Sequence, residues 1–174
     1  MGPDDFDYEL PEDLIAQHPL EERTAARMLV DLGNGPEHLR ISDFPKLLKS
    51  GDIVVVNNTR VLPARLFLKK ETGGNVEVLL LKALNQMTWE ALVRPSRKVS
   101  PGTKFTVSPE MTIYIGEDLG AGKRLVQIKT KSDFLPLLEK YGKVPLPPYI
   151  KNDLEDGERY QTVFANRSNS SAAP

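Results

Sequence analysis

The sequence predicts an α/β protein with a second, small all-β module, and three features support this prediction. Residues 53–56 (Ile-Val-Val-Val) form an unbroken β-branched run, which is typical of a strand buried on both faces. From residue 62 onward, short β-type runs alternate with turns that contain Gly, Asn, Pro or Ser. After the proline-rich stretch 144–150 this pattern ends. A chain of 174 residues is long enough for two compact subdomains.

The N-terminal part predicts a helix, a hairpin and a second helix before the β-branched run. Residues 10–16 combine a proline in the first turn with acidic residues near the N-terminus, a combination that favours a short helix. Residues 28–32 and 38–41 flank Gly-Asn-Gly-Pro and predict a β-hairpin. Residues 42–48 predict a short helix capped by Ser42. The order from the hairpin onward is therefore β-β-α-β.

The middle of the chain predicts a small barrel. Its five clearest β-type runs are residues 66–70, 76–82, 89–94, 112–115 and 125–130, with Trp89 as a core residue. A helix over 132–142, capped by Ser132 and ended by Gly142, closes the module. The stretch 144–150 is predicted to be an extended exit, 158–164 a further strand, and 166–174 a segment without core residues.

The composition excludes several classes of site. Because the chain has no cysteine, it has neither a disulfide framework, a thiolate metal site nor an iron–sulfur cluster with its usual ligands. The two histidines, His18 and His38, lack the spacing of a zinc helix, so we predict no protein-bound metal. No apolar run resembles a signal peptide or reaches the length of a membrane span. We therefore predict a cytoplasmic protein without a membrane partner.

Charge is distributed unevenly along the chain. The formal net charge is −1, but residues 1–59 carry −7 and residues 60–104 carry +6. This basic segment matches the electrostatic footprint of a phosphate-binding surface. A solvated basic face explains the composition equally well.

Polar side chains follow directly after the β-branched run. They are two amides, a hydroxyl and a guanidinium: Asn57, Asn58, Thr59 and Arg60. Open α/β sheets bind ligands at the C-terminal ends of their strands, so this position predicts a site for a polar or anionic small molecule. The alternative is a polar turn, since Asn hydrogen-bonds to its own backbone.

Two further candidates carry the same ambiguity. His18 precedes a proline and is either a proton-transfer group or a structural hydrogen-bonder. Arg94, Arg97 and Lys98 cluster at a predicted strand end and are either phosphate contacts or an exposed turn.

Several motifs in a fixed order resemble one known family. They are Phe-Asp-Tyr-Glu-Leu-Pro at 6–11, Ile-Ala-Gln-His-Pro-Leu at 15–20, Val-Asn-Asn-Thr-Arg-Val at 56–61, Pro-Ala-Arg-Leu at 63–66, Thr-Gly-Gly at 72–74, Val-Glu-Val-Leu-Leu-Leu at 76–81, Trp-Glu-Ala-Leu-Val-Arg-Pro at 89–95, Pro-Leu-Pro-Pro-Tyr-Ile at 145–150 and Glu-Arg-Tyr-Gln-Thr-Val at 158–163. Together they resemble the N-terminal half of the S-adenosylmethionine:tRNA ribosyltransferase-isomerase family of the queuosine pathway.

The resemblance implies both a fold and a reaction. The fold is a discontinuous α/β domain, here partial, with an inserted small antiparallel β-barrel: residues 1–60 begin the α/β domain, 61–150 form the barrel, and 151–174 return to the α/β domain. The reaction transfers and isomerises the ribosyl moiety of S-adenosylmethionine onto the 7-aminomethyl group of a 7-deazaguanine in tRNA. It gives epoxyqueuosine and releases adenine and methionine.

The resemblance also implies partners and residue roles. S-adenosylmethionine is a co-substrate and no cofactor is bound permanently; tRNA is the second substrate, a separate C-terminal half is a further candidate partner, and the chain is predicted to be a monomer. Arg60 is the first catalytic candidate, followed by His18 and Asp52 for proton transfer. Asn57, Asn58 and Thr59 are expected to orient substrate, and the expected tRNA phosphate contacts are Arg65, Arg94, Arg97 and Lys98.

Two departures from the family pattern leave an alternative open. The family has Asp-Ala-Ser-Arg where this chain has Thr-Ala-Ala-Arg at 24–27, so a carboxylate and a hydroxyl are absent there. The family also continues beyond the position of Pro174 with about as much sequence again. The alternative is a noncatalytic tRNA-binding or regulatory fragment, and a barrel that binds oligonucleotides without modifying them is a third, weaker hypothesis.

Overall fold

The structure, a computed structural model, describes residues 2–152, 154 and 156–170. Its contacts divide the chain into two units. Unit 1 combines Met1–Val55 with Pro148–Leu154, and unit 2 combines Val56–Pro147 with Glu155–Pro174. The division into 1–60, 61–150 and 151–174 stays a prediction.

Unit 1 contains the predicted hairpin. Strands β1 (Arg27–Asp31) and β2 (Pro36–Arg40) pair antiparallel. The connection uses Gly33 and Gly35 at φ 96°, a left-handed conformation that glycine adopts without steric cost. The hairpin prediction is confirmed, because the turn composition between the two apolar runs dictates this geometry.

The helices of unit 1 are shorter than predicted. The predicted helix at 10–16 is a single 3-10 turn, Glu12–Leu14, because its apolar side chain Leu14 is exposed and no tertiary packing supports a longer helix. Helix α1 (Phe44–Leu47) follows Asp43, not a Ser42 cap. The pKa of the Asp43 carboxyl is held below its usual range by the hydrogen bond from Lys46 and then by the Arg40 N–H.

The predicted buried strand at 53–56 is wrong. The segment has no regular structure, and the side chains of Ile53 and Val55 are 88% and 90% exposed. Among the described residues, the backbone N–H and C=O groups of this segment have no backbone hydrogen-bond partner. A strand buried on both faces needs a neighbour on each side, and among the described residues this run finds neither.

Unit 2 contains a six-stranded antiparallel sheet. After β3 (Thr59–Val61), its strands are β4 (Arg65–Lys69), β5 (Asn75–Ala83), β6 (Thr88–Arg94), β7 (Lys104–Ser108), β8 (Met111–Gly120) and β9 (Lys123–Thr130). Their spatial order is β4-β5-β6-β9-β8-β7, and the edge strands β4 and β7 contact each other. The sheet is therefore barrel-like and nearly closed, which confirms the predicted small barrel; the sequence analysis had missed β7.

The interior of this sheet follows the period of two. Side chains that alternate along each strand point inward and are almost fully buried, among them Val76, Val78, Leu80, Ala91, Val93, Ile113, Ile115, Val126 and Ile128. Helix α2 (Phe134–Tyr141) adds Leu137 and Leu138 to the same core. Burying one such side chain contributes about 1.5–3 kcal/mol.

Three predictions concern Trp89 and the two ends of helix α2. Trp89 is buried as predicted, and its ring centroid lies 5.8 Å from that of Phe134. Ser132 is not the cap of α2, because the helix begins after Asp133. Gly142 ends the helix as predicted.

The strand predicted at 158–164 is also wrong. A 3-10 helix, Gly157–Tyr160, occupies its first half, because Asp156 accepts the Glu158 N–H at 2.9 Å and caps a turn there. A strand instead follows at β10 (Arg167–Ser170), which pairs in parallel with β3. The prediction that 166–174 contains no core is partly outside the described residues, since 171–174 are not described.

Gly142 is required for a close backbone approach, and its substitution is the first prediction. A Cβ at this position meets the Pro63 carbonyl oxygen at 1.8 Å. We expect Gly142→Ala to lower the free energy of unfolding by about 3 kcal/mol or more, because two backbone segments must separate. Chemical denaturation monitored by Trp89 fluorescence measures the loss.

Gly74→Ala is the matched control. Its Cβ meets only the Lys70 side chain, at an ordinary contact distance of 3.7 Å. Equal stability of the two variants would contradict the proposed steric role of Gly142.

Candidate functional site

Strand β3 positions the polar segment that the sequence analysis selected. The Asn57 Oδ1 accepts the Thr59 N–H at 2.8 Å, and the Asn58 carbonyl accepts the Asn166 N–H at 2.9 Å. Asn57 is thus used in a local turn, which was the alternative interpretation of this segment. The side chains of Asn58 and Thr59 are half-buried and form no hydrogen bond with the described residues, so they remain available to a ligand.

Arg60 is held by a carboxylate. Its Nη1 donates to Glu158 Oε2 at 3.0 Å, and its Nη2 donates to Glu158 Oε1, so the pair is bidentate. The Arg60 side chain is 28% exposed and that of Glu158 is 65% exposed. The guanidinium is therefore fixed in orientation, while solvent screens its partner.

Gln161 holds β3 in place from a distant part of the sequence. It is 5% exposed, its Oε1 accepts the Val61 N–H at 2.8 Å, and its Nε2 donates to the Val61 carbonyl at 2.9 Å. One amide side chain thereby satisfies both backbone groups of a buried residue, as a neighbouring strand would. Sequence reasoning missed this role, because Gln161 and Val61 lie 100 residues apart and no local pattern connects them.

In unit 1, the segment from residue 148 onward fixes the neighbourhood of His18. The Asn152 Nδ2 lies 2.8 Å from His18 Nε2, within hydrogen-bond distance. Gln17 binds the same segment, because its Nε2 donates to the Tyr149 carbonyl at 3.0 Å and its Oε1 accepts the Lys151 N–H at 2.8 Å. His18 is exposed and oriented.

Asp52 has a local role in unit 1. Its Oδ2 accepts the Lys49 N–H at 2.7 Å, and its own N–H donates to the Lys49 carbonyl at 3.1 Å. The carboxylate therefore closes the turn before residues 53–56. Its predicted part in proton transfer stays a prediction.

Three of the four predicted phosphate contacts lie at one end of β6. Arg94 ends the strand, and Arg97 and Lys98 lie in the 3-10 turn Ser96–Lys98; all three are exposed. The Lys70 Nζ donates to the Lys98 carbonyl and adds a fourth cation that the sequence analysis missed. We call Lys70, Arg94, Arg97 and Lys98 the basic turn. The fourth predicted contact is Arg65, whose Nε lies 3.1 Å from Glu77 Oε1, and Glu77 lies opposite Arg94 in the strand register.

A buried arginine anchors the basic turn. Arg124 is 3% exposed; its Nη2 and Nε donate to the Gly116 carbonyl at 2.9 and 3.2 Å, and its Nη1 donates to the Ser96 carbonyl at 3.4 Å. It thereby links the turn to β8. The sequence gives no sign of this role, since an arginine in a β-strand is usually a solvated charge.

Comparison with known families decides the affiliation of the chain. The model of a family described as "Queuosine biosynthesis protein" matches residues 3–174. The chain belongs to this family. The resemblance inferred from the sequence motifs is therefore confirmed.

One curated relative aligns over the whole chain. The S-adenosylmethionine:tRNA ribosyltransferase-isomerase of Natranaerobius thermophilus is 44% identical over 179 residues, which cover 100% of this chain and 52% of the relative. The crystal structure of an S-adenosylmethionine tRNA ribosyltransferase from Thermotoga maritima is 33% identical with a TM-score of 0.40, covering 79% of this chain and 48% of that one. This member of the queuosine family thus spans about half the length of the curated relative it matches.

The structure also bears on the membrane prediction. Among the described residues, no helix has the length and apolar character needed to cross a bilayer.

Substitution of Gln161 is the second prediction. Gln161→Leu keeps the side-chain volume but leaves the N–H and C=O of Val61 buried without partners. We expect a loss of about 2–5 kcal/mol in the free energy of unfolding, because each orphaned buried polar group costs about 1–3 kcal/mol. Denaturant titration measures it.

Gln86→Leu is the control, since Gln86 is exposed. If both leucine variants unfold at the same denaturant concentration, Gln161 does not support β3.

Proposed function

We propose that this chain is the N-terminal part of an enzyme that transfers and isomerises the ribosyl moiety of S-adenosylmethionine. The acceptor is the 7-aminomethyl group of a 7-deazaguanine in tRNA, and the products are epoxyqueuosine, adenine and methionine. The observation that carries the proposal is a sequence identity of 44% to a relative named S-adenosylmethionine:tRNA ribosyltransferase-isomerase. The alignment covers 100% of this chain.

The reaction sets three physical demands on the protein. The amine must be neutral to attack, the charge that develops on the departing adenine must be stabilised, and a proton must be removed next to the sulfonium. The sulfonium itself needs no acid to depart. The protein must therefore orient two substrates and supply one acceptor for a proton.

The segment around β3 supplies orienting groups. Arg60 offers a fixed guanidinium, whose pairing with Glu158 leaves Nε without a described partner. Asn58 and Thr59 contribute a half-buried amide and hydroxyl beside it in the sequence. Such groups recognise an amino-acid carboxylate, a ribose hydroxyl or a leaving adenine, and Asn57 supports them through the turn. We assign substrate orientation and charge stabilisation to this segment.

His18 and Asp52 are the proposed proton-transfer groups. The His18 Nε2 lies 2.8 Å from the Asn152 amide nitrogen, so a substrate proton reaches this nitrogen only if the amide moves away. Asp52 is exposed and already accepts one backbone N–H. His18 is the first candidate of the two, because its imidazole is exposed and contacts Asn152 at one ring nitrogen only.

The basic turn is the proposed contact for tRNA phosphates. Its three exposed cations are Arg94, Arg97 and Lys98, and the buried Arg124 anchors their turn through the Ser96 carbonyl. Among the described residues none of the three forms an ion pair, and Glu77 lies opposite Arg94 in the strand register. Cations that form no ion pair attract the polyanionic RNA backbone, and their binding to phosphates releases the counterions of the RNA. Arg65 is a weaker candidate, since Glu77 neutralises it.

A second polypeptide region is the proposed partner of residues 53–56. Four β-branched side chains and their backbone groups are exposed in this segment, which is costly in water and typical of a strand without its neighbours. The aligned relative is about twice as long as this chain. We infer that a region equivalent to the second half of this relative supplies the neighbouring strands. Together with residues 1–60 and 151–174, this region completes a discontinuous α/β domain.

The remaining parts of the proposal concern compartment and cofactors. We propose a cytoplasmic location on the basis of the proposed tRNA substrate. S-adenosylmethionine is consumed as a co-substrate, and no permanently bound cofactor or metal is required by the reaction. We propose a monomeric chain, apart from its pairing with the second half.

A turnover experiment is the third prediction. Labelled S-adenosylmethionine and tRNA bearing the 7-aminomethyl base are incubated with this chain, with and without the separately produced second half of the Natranaerobius relative. We expect adenine release only with both halves, and Arg60→Gln to abolish it.

The controls separate the enzyme from the fragment hypothesis. Glu158→Gln is expected to retain turnover, because the glutamine Oε1 still accepts a hydrogen bond from the guanidinium and the positive charge of Arg60 is kept. Salt-sensitive tRNA binding without adenine release in any combination would favour the noncatalytic fragment instead.

Association of the two halves is the fourth prediction. We expect Val55→Asp to leave the unfolding of this chain unchanged, since Val55 is exposed, but to weaken binding of the second half by at least tenfold, because it places a charge in a paired strand. Sedimentation or calorimetry measures the affinity.

Leu32→Asp, at another exposed apolar position of unit 1, is the control. An equal effect of both variants would contradict strand pairing at 53–56.

A further inference from the structure

The outward face of the six-stranded sheet has an unusual composition on strands β6 to β9. Register aligns one residue from each of four neighbouring strands in a single row: Thr88, Gln127, Tyr114 and Lys104. The next row contains Lys129 opposite Thr112. We call these six residues the lysine–tyrosine face. At an inter-strand spacing of about 4.8 Å, the first row spans about 14 Å.

The alternation of burial places these side chains outside. On β8, Ile113 and Ile115 are buried and Tyr114 between them is half-buried. On β9, Val126 and Ile128 are buried while Gln127 and Lys129 are exposed. The face is therefore a solvent-accessible surface on a rigid scaffold and not a part of the core.

The surroundings of the two lysines of this face are aromatic and polar in the part of the chain that the structure describes. Lys129 Nζ lies 5.1 Å from the centroid of the Tyr114 ring, and Lys104 is directly opposite Tyr114 in the register. Among the described residues neither lysine forms an ion pair. Elsewhere on the same sheet the pattern is different, because Arg65 pairs with Glu77 and Lys82 lies opposite Glu90.

The position of the face separates it from the basic turn. Both include a residue of β6, but Thr88 begins the strand and Arg94 ends it. Six residues of extended chain span about 20 Å, and Glu90 lies between the two sites. The lysine–tyrosine face is therefore a second surface.

We propose that the lysine–tyrosine face binds RNA, with Lys104 and Lys129 on phosphates and one base or ribose stacked on Tyr114. Uncompensated cations beside an aromatic ring, with amide and hydroxyl groups around them, are the chemistry that recognises single-stranded or splayed nucleotides. A protein partner with an acidic surface would use the cations but not the ring. The inference rests on the proposed function, since it gives the tRNA substrate a contact remote from the basic turn.

The test measures affinity for an unmodified tRNA transcript as a function of salt, using the intact chain. The double variant K104Q/K129Q is expected to reduce the slope of log affinity against log salt by about 1 to 2, because each lysine that contacts a phosphate releases about one counterion. Tyr114→Leu is expected to weaken binding at least fivefold, whereas Tyr114→Phe keeps the ring and the affinity.

Lys140→Gln is the matched control. Lys140 Nζ lies 5.3 Å from the Tyr141 ring centroid, so this variant removes the same charge from the same kind of contact on helix α2. Its salt slope is expected to stay within experimental error of the unsubstituted chain. Unfolding midpoints of all variants are measured to verify that the sheet is intact.

The outcomes distinguish the inference from the proposed function. If only substitutions in the basic turn weaken tRNA binding, the inference is overturned and the proposed function stands. If the unsubstituted chain binds no tRNA, the inference is overturned, whereas the proposed function is decided by adenine release with both halves present. If K104Q/K129Q leaves RNA binding unchanged but abolishes a concentration-dependent self-association, the face is an interface between two copies of the chain and the inference is overturned.

Discussion

The burial of one set of alternating side chains inside a nearly closed sheet is the constraint on which the rest of unit 2 depends. Antiparallel strands with a period of two must hide one face, and the six strands achieve this by bending until β4 and β7 meet. Helix α2 packs Leu137 and Leu138 into the same core. Every outward residue then has a fixed position, so the basic turn and the lysine–tyrosine face are rigidly presented.

The polar ties of unit 2 extend this scaffold to the candidate site. Gln161 replaces a missing strand neighbour of Val61, and Arg124 joins the basic turn to β8. Both side chains are buried and both satisfy backbone groups, so their loss exposes orphaned donors or acceptors to an apolar environment. Gln161 holds β3 in place through Val61. The positions of the candidate ligand groups in and beside β3, which are Asn58, Thr59 and Arg60, therefore depend on Gln161.

The sequence predicted the barrel better than the site. Strands β4, β5, β6, β8 and β9 and helix α2 follow from alternation and turn chemistry, which are local properties. The prediction for residues 53–56 was wrong, because β-branched composition indicates that a segment prefers to form a strand when neighbouring strands are present. The composition does not indicate whether those neighbouring strands exist. The role of Gln161 depends on Val61, which is 100 residues away in the sequence. The role of Arg124 depends on the β-bulge that brings Gly116 of β8 within hydrogen-bond distance. No local sequence pattern encodes either role.

The parallel pairing of β3 with β10 has a consequence for the order of folding. Their contacts join residues about 100 positions apart, as the Gln161–Val61 hydrogen bonds do, whereas the hairpins of the sheet close over short loops. Loop-closure entropy makes the long-range contact the slower one to form. A nascent chain can thus complete the barrel core before residues 167–170 emerge from the ribosome, and the pairing of β3 with β10 follows afterwards.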